Sequence, residues 1–202
     1  MISKAGYLRL YLGCMYSGKS TALLNEISRY SVLTKDILVV NHTLDQQRQQ
    51  NTNDFDVTNT FLLQTHDNRS YPAVKLCTLE ELVKQSDLWE LYRTAKVVVI
   101  DEAQFFPDLL SFMRENLVQP KTFIVGGLSG DFNMNPIGEI ISLVPLADEV
   151  IKLDAYCVYC HESPTRASFS KRLVASDQQI LVGKKDVYLP VCRYHHLNKT
   201  DV

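Results

Sequence analysis

The chain has 202 residues, of which 46% are hydrophobic and 22% charged, and its formal net charge is −2 at pH 7. These values are ordinary for a folded protein with a hydrophobic core, and they give no basic surface for nucleic acid. No apolar run approaches the roughly 20 residues that span a bilayer, and the segment before the first predicted strand is too short for a signal peptide. We therefore expect a cytoplasmic protein.

A phosphate-binding motif stands near the start of the chain. Residues 13–20 read Gly-Cys-Met-Tyr-Ser-Gly-Lys-Ser and fit the pattern G-x-x-x-x-G-K-[ST]. A strand is predicted before this loop, and a helix that ends near residues 33–34 is predicted after it. In that context Lys19 reaches the β and γ oxygens of a triphosphate, and Ser20 is a ligand for Mg²⁺. The residues predicted to bind ATP here are Gly13, Cys14, Met15, Tyr16, Ser17, Gly18, Lys19, Ser20 and Thr21.

Apolar runs then alternate with helical segments along the chain. The polar segment 41–72 has little periodicity, although part of it has the apolar content of a hairpin. Strands that alternate with helices predict a P-loop NTPase-like α/β domain over residues 1–153, in which helices flank a parallel sheet. The later predicted strands lie at residues 37–40, 74–77, 97–100, 122–125 and 150–153.

Two acidic residues follow the most apolar of these strands. Asp101 and Glu102 come directly after Val-Val-Val-Ile at 97–100. A carboxylate at the carboxyl end of a strand that neighbours the phosphate loop can hold Mg²⁺, and that role suits Asp101. Glu102 could act as a general base or position an attacking group, or it could be a solvated acid at a strand end. The combination with the phosphate motif favours a functional role.

Three of the five cysteines lie late in the chain, together with a histidine. A C-x₂-C pair at 157–160 and a C-x₂-H pair at 192–195 are separated by 31 residues, 161–191. Four ligands of these types suit tetrahedral Zn²⁺, and a site closed by four protein ligands has a structural role. The spacing favours His195 over His196 as the fourth ligand. The predicted zinc ligands are Cys157, Cys160, Cys192 and His195.

The sequence Asp-Glu-Ala-Gln-Phe-Phe at 101–106, together with the phosphate motif, resembles the thymidine kinase family in its cellular and poxvirus-type branch, not the herpesvirus type. The similarity continues through Gly-Leu-Ser-Gly-Asp-Phe at 127–132 and the cysteine-rich tail. It implies transfer of the γ-phosphate of ATP to the 5′-hydroxyl of thymidine, with Mg²⁺ and structural Zn²⁺. It also implies a homotetramer with dTTP as feedback inhibitor. We expect residues 154–202 to form a small zinc-binding domain.

The resemblance also assigns the substrate-binding residues. Met15, Leu128 and Phe132 would line the base pocket, with Phe132 stacking on the base. The loop between the two zinc-ligand pairs, residues 161–191 and hereafter the lasso loop, would fold over the nucleoside, and its strand-like stretches equally predict an ordinary hairpin. Ile137 stands where many members have a second phenylalanine. The full predicted set is Met15, Phe105, Leu128, Phe132, Ser170, Gln179, Ile180, Leu181, Val182, Gly183 and Tyr188.

Asp45, Arg48 and Gln104, together with Asp101, complete the predicted ATP-binding set. The family usually has D-x-R where this chain has Asp45-Gln-Gln-Arg48, so one extra residue intervenes. Asp45 would approach the phosphate–metal region, and the Arg48 guanidinium would contact the transferred phosphoryl group. The alternative for both is a solvated polar loop.

Two other classes of protein share some of these features. A nucleic-acid-dependent ATPase with a zinc ribbon would also carry the phosphate motif and the cysteine pairs, but the net charge and the lack of a Lys/Arg patch count against it. A non-catalytic nucleotide-binding scaffold would not need Lys19, Ser20, Asp101 and Glu102 together. The sequence therefore predicts a thymidine kinase, an enzyme that acts on small molecules.

Overall fold

The computed structural model describes residues 5–45, 61–64, 70–176, 178–181 and 186–198. A seven-stranded sheet forms its centre, with the spatial order β3-β4-β2-β5-β6-β1-β7. Six strands are parallel and β3 is antiparallel to β4, which confirms the predicted α/β class and the suggested hairpin. The strands are β1 Tyr7–Gly13, β2 Ile37–His42, β3 Phe61–Gln64, β4 Ser70–Leu76, β5 Val97–Ile100, β6 Thr122–Leu128 and β7 Glu149–Leu153.

Alternation along the strands places apolar side chains on both faces of the sheet. On β5, Val98 and Ile100 belong to one buried cluster, whereas Val97 and Val99 belong to the other. Successive side chains of a strand point to opposite faces, so a continuous apolar run is what a sheet covered on both sides requires. Helix α1 (Lys19–Tyr30) covers one face, and α2 (Glu81–Lys84), α3 (Ser86–Thr94) and α4 (Leu109–Asn116) cover the other.

Helix α1 is shorter than predicted. It ends at Tyr30, and the Ser31 amide donates the closing hydrogen bond to the carbonyl of Ile27. Val32 and Leu33, over which the helix was predicted to continue, are 84% and 80% exposed and so gain little from packing. No helix among the described residues is long and apolar enough to cross a bilayer.

Two short antiparallel ribbons follow the sheet. Strand β8 (Ala155–Tyr156) pairs with β9 (Arg166–Ala167), and β10 (Phe169–Arg172) pairs with β11 (Tyr188–Val191), so the lasso loop does contain the predicted hairpin. Helix α5 (Arg193–Leu197) comes next. The ribbons share a small buried cluster of Cys157, Ala167, Val191 and Cys192. The division after residue 153 stays a prediction, and it would fall between β7 and β8.

Candidate active site

The phosphate motif forms the turn between β1 and α1. Gly18 has a φ of 81°, a left-handed conformation that favours glycine, and it directly precedes the first helical residue, Lys19. A Cβ at Gly13 would lie 2.6 Å from the carbonyl oxygen of Leu153 and would also clash with Ser17. Glycine is therefore required at both positions of the motif by the local geometry.

The buried ammonium of Lys19 points back into this turn. Its Nζ donates to the carbonyl of Cys14 over 2.7 Å, and the Ser17 hydroxyl donates to the same oxygen over 2.9 Å. A lysine held over a loop of backbone amides can neutralise an anion there. The Cys14 thiol donates to the carbonyl of Ala167, and burial raises its pKa, so it lacks the thiolate character of a reactive cysteine.

Ser20 and Asp101 meet at the carboxyl edge of the sheet. The Ser20 hydroxyl donates to Asp101 Oδ2 over 2.9 Å, and the Asp101 side chain is fully buried. The prediction that Asp101 follows a strand adjacent to β1 is wrong, because β6 lies between β1 and β5. The two residues still meet, since parallel strands end at the same edge and α1 carries Ser20 over that edge. A hydroxyl beside a carboxylate is a suitable pair of oxygen ligands for Mg²⁺.

Glu102 occupies a strained position directly after β5. Its φ is 52°, and its Oε2 accepts a hydrogen bond from Gln104 Nε2 over 2.7 Å. Burial raises the pKa of Glu102 to about 7, assisted by the negative charges of Asp101 and Asp45, while Lys19 and the Gln104 hydrogen bond act in the opposite direction. A carboxylate whose pKa lies near 7 is suited to accept a proton from a hydroxyl group.

Gln104 links Glu102 to the predicted base pocket. Its side chain is buried, and its Oε1 accepts from the Leu128 amide over 3.0 Å. The backbone of Gln104 lies so close to Gly138 that any side chain at 138 would clash with it, and Gly138 also has a φ of 56°. These contacts join Glu102 to Leu128, and the predicted role of Gln104 in ATP binding stays a prediction.

The turn that carries Asp45 lies near this acid. Asp45 Oδ2 accepts from Asn41 Nδ2 over 2.7 Å, and its carbonyl accepts from Lys75 Nζ over 2.8 Å. His42 packs against Phe105 with 5.7 Å between ring centroids, and burial lowers the pKa of His42. The negative charge of Asp45 contributes to the raised pKa of Glu102. Arg48 lies outside the described residues.

Several residues of the predicted base pocket come together on β10 and the turn after β6. The Met15 amide donates to the buried Ser170 hydroxyl over 2.9 Å, which joins the phosphate loop to the lasso loop. Phe132 is half-buried and Ile137 is buried. The base pocket itself stays a prediction.

The described part of the lasso loop is attached to the turn after β6. Gln179 Nε2 donates to Asp131 Oδ2 over 2.9 Å and to the carbonyl of Pro136 over 3.2 Å. Ile180 is 39% exposed and Leu181 is half-buried. The predicted residues Val182 and Gly183 lie outside the described part. Sequence reasoning missed Asp131 and Arg172, although Arg172 follows Ser170 by two residues and so lies on the same face of β10.

The predicted zinc ligands form one compact cluster. His195 Nδ1 lies 3.4 Å from the Sγ of Cys157, 3.5 Å from that of Cys160 and 3.3 Å from that of Cys192. All four ligand atoms lie within 4.8 Å of one another. Zn–S and Zn–N bonds of about 2.3 and 2.1 Å would fit a tetrahedron of that size. The rival, His196, points elsewhere, since its Nε2 lies 2.9 Å from the carbonyl of Phe132.

These observations define an α/β protein with a phosphate-binding motif and a carboxylate pair at one edge of a parallel sheet, followed by a Cys₃His cluster. The family model described as thymidine kinase matches residues 6–196. The chain therefore belongs to the thymidine kinase family, as the sequence resemblance predicted. That membership does not favour the alternative of a nucleic-acid-dependent ATPase.

Individual relatives cover nearly the whole chain. The thymidine kinase of Yaba monkey tumor virus is 37% identical over 193 residues, which cover 96% of this chain and 96% of that protein. Thymidine kinase 1 of Dictyostelium discoideum is 35% identical over 189 residues, or 94% of this chain and 77% of the relative. The cytosolic thymidine kinase of Bos taurus is 32% identical over 194 residues, or 96% and 73%.

Proposed function

We propose that this chain transfers the γ-phosphate of ATP to the 5′-hydroxyl of thymidine, giving dTMP and ADP. Family membership along residues 6–196 supports this reaction. The observation that carries it is the convergence of Lys19, the Ser20–Asp101 pair and Glu102 at one edge of the sheet. A cation, a metal-binding pair and a base are the parts that phosphoryl transfer to a hydroxyl needs.

Each residue has a distinct task in the proposed reaction. The loop amides and Lys19 hold the β- and γ-phosphates and offset their charge. Ser20 and Asp101 would hold Mg²⁺, which supplies further charge neutralisation on the phosphate oxygens. Glu102 accepts the proton of the 5′-hydroxyl as that oxygen approaches the γ-phosphorus in line. We keep the phosphate-loop residues, Thr21, Asp45, Arg48, Asp101 and Gln104 as the proposed ATP-binding set.

The nucleoside is proposed to lie between the turn after β6 and the lasso loop. Leu128 and Phe132 would form one wall, and Ser170 and Tyr188 would form the other. The contact between Met15 and Ser170 supports this arrangement, because it holds the lasso loop beside the phosphate loop. The full predicted substrate set, including Phe105, is retained as a proposal.

We further propose that the Cys₃His cluster binds a structural Zn²⁺. Four protein ligands leave no open position for substrate, and thiolates with an imidazole are the ligands that zinc prefers. The homotetramer and the feedback inhibition by dTTP remain predictions from the family resemblance. A cytoplasmic location is proposed as well, in line with the name of the bovine relative.

Replacement of Glu102 tests the chemistry. Wild-type protein with ATP and Mg²⁺ should phosphorylate thymidine in an assay across the four natural deoxynucleosides. Glu102→Gln should lower turnover by about 10²- to 10⁴-fold, the usual contribution of a positioned base, with little change in the affinities measured by calorimetry. Glu90→Gln, which removes an exposed carboxylate paired with Arg93, is the matched control. Wild-type protein inactive on thymidine would overturn the function, and near-normal turnover in Glu102→Gln would remove Glu102 from its role.

A further inference from the structure

Arg172 makes an unusually complete set of hydrogen bonds inside the lasso loop. It lies on β10, and its guanidinium uses all five of its N–H donors. Nε and Nη2 donate to the Tyr188 hydroxyl over 3.1 and 2.7 Å. The remaining donors reach three backbone carbonyls, with Nη1 on Ser176 at 3.2 Å and Gln178 at 2.6 Å, and Nη2 on Gln179 at 2.8 Å. One side chain therefore holds the backbone carbonyls of Ser176, Gln178 and Gln179.

The same guanidinium packs on the predicted base-stacking residue. Its central carbon lies 3.7 Å from the centroid of the Phe132 ring and 5.3 Å from that of Tyr188. A cation at this distance from an aromatic face is attracted to it, and the planar guanidinium also excludes other groups from that face. Only the opposite face of Phe132 is then available to a nucleobase.

A second contact holds the same segment to the turn that contains Phe132. Gln179 donates to Asp131 Oδ2, while Asp131 Oδ1 accepts from the amides of Asn133 and Asn135 over 2.8 and 2.9 Å. Asp131 is buried. The Asp131 carboxylate therefore accepts hydrogen bonds both from its own turn and from Gln179 of the lasso loop. Asp131 directly precedes Phe132, the residue that Arg172 contacts.

We propose that Arg172 is a positioning residue for the nucleoside: it clamps Ser176, Gln178 and Gln179 beside Phe132 and leaves one face of that ring for the base. The proposal rests on the proposed thymidine kinase function. A lysine cannot replace Arg172 in this role, because an ammonium is a point charge that offers three donors in a different geometry and stacks less well on a ring.

The clamp predicts a specific kinetic pattern. Arg172→Met should raise KM for thymidine about 10- to 100-fold, the range expected for the loss of charge-assisted hydrogen bonds, while kcat and KM for ATP change less than about 3-fold. Arg172→Lys should stay within about 3-fold of Arg172→Met. Arg166→Met is the matched control, since Arg166 lies on the neighbouring ribbon with its side chain 80% exposed. A wild-type KM for thymidine in Arg172→Met would overturn the proposal. A wild-type KM in Arg172→Lys would show that the planar guanidinium is not required.

A double-mutant cycle with Phe132→Leu tests whether Arg172 acts through Phe132. The double variant should lose clearly less kcat/KM for thymidine than the product of the fold-losses in Arg172→Met and Phe132→Leu, because both changes disrupt the same contact. Multiplicative costs would contradict the proposed coupling. Equal losses for thymidine and ATP would indicate a general folding role instead.

Proteolysis provides a readout that does not depend on activity. Without substrate, thermolysin should cleave next to Ile180 about 10-fold faster in Arg172→Met than in Arg166→Met, because Arg172 holds the residues that precede Ile180. A tenfold faster cleavage corresponds to a modest loss of local stability. The cleavage site is identified by mass spectrometry. An unchanged rate would overturn the clamp even if the wild-type protein proved inactive on thymidine, which would be a failure of the proposed function alone.

Discussion

Glu102 and Gln104 are joined by a hydrogen bond of 2.7 Å from the amide nitrogen to the carboxylate, and the other end of the same amide accepts from the backbone of Leu128. Gln104 therefore stabilises the charged form of the proposed base and fixes it relative to the pocket wall. A hydrogen bond to a carboxylate lowers its pKa, which offsets part of the increase that burial causes.

Removal of this donor should shift the pH profile. In Gln104→Leu, the pKa of Glu102 should rise above its value of about 7, because the charged form loses its hydrogen bond. A base must be deprotonated to act, so the acidic limb of kcat/KM for thymidine should move to higher pH. Gln85→Leu, which removes a surface amide paired with Glu81, is the control. Superimposable profiles from pH 5.5 to 9 would contradict the assignment.

The raised pKa of Glu102 also predicts a pH-dependent stability. The protonated group favours folding below pH 4.5, and this contribution is lost as the pH rises through about 7. Glutamine does not titrate, so the melting temperature of Glu102→Gln relative to wild type should increase between pH 4.5 and 7 and then level off. The measurement is calorimetry without nucleotide or Mg²⁺. A constant difference across that range would show that the pKa is not raised.

The two adjacent histidines of α5 should differ in their effect on metal content. His195→Ala removes a group within 3.5 Å of three thiols, whereas His196→Ala removes the contact with the Phe132 carbonyl and the ring contact with Phe169. We expect about one Zn²⁺ per chain in wild type and in His196→Ala, by elemental analysis of the purified proteins, and a clear loss in His195→Ala. The reverse order would assign the site to His196.

A buried lysine far from the site should matter for stability. Lys121 Nζ donates to the carbonyls of Tyr92, Arg93 and Ala95 over 2.8, 3.1 and 2.7 Å. It thereby supplies hydrogen-bond donors to the backbone carbonyls at the C-terminal end of α3. Lys121→Met should lower the free energy of unfolding by about 2–4 kcal/mol, because buried carbonyls lose their donor. Lys96→Met, which removes an exposed ion pair with Asp36, should change it by about 0.5 kcal/mol or less. Urea denaturation of both variants makes the comparison, and similar values would contradict the explanation.

Local patterns predicted much of this protein. The apolar run at β5, the phosphate motif and the paired cysteine spacings are all local, and the sheet and the Cys₃His cluster agree with them. The spacing also distinguished His195 from His196. The strand and the phosphate motif could be predicted because each depends on residues close together in sequence. The Cys₃His cluster could be predicted because one tetrahedral metal ion needs four such ligands.

Long-range relationships were less accessible. The position of β6 between β1 and β5 depends on how the strands pack, and no residue pattern encodes it. The end of α1 depends on whether Val32 and Leu33 find a surface to cover. In the sequence, Arg172 cannot be distinguished from an ordinary charged residue in a strand. Its carbonyl acceptors and the Phe132 ring come from segments that meet only in the folded chain.

The hydrogen bonds from Cys14 and Met15 to Ala167 and Ser170 have a consequence for assembly. These two bonds tie the turn between β1 and α1, the proposed phosphate-binding loop, to the ribbons that carry the Cys₃His cluster. Should the cluster hold the proposed Zn²⁺, we expect zinc starvation to weaken nucleotide binding as well, although the zinc ion would take no direct part in phosphoryl transfer.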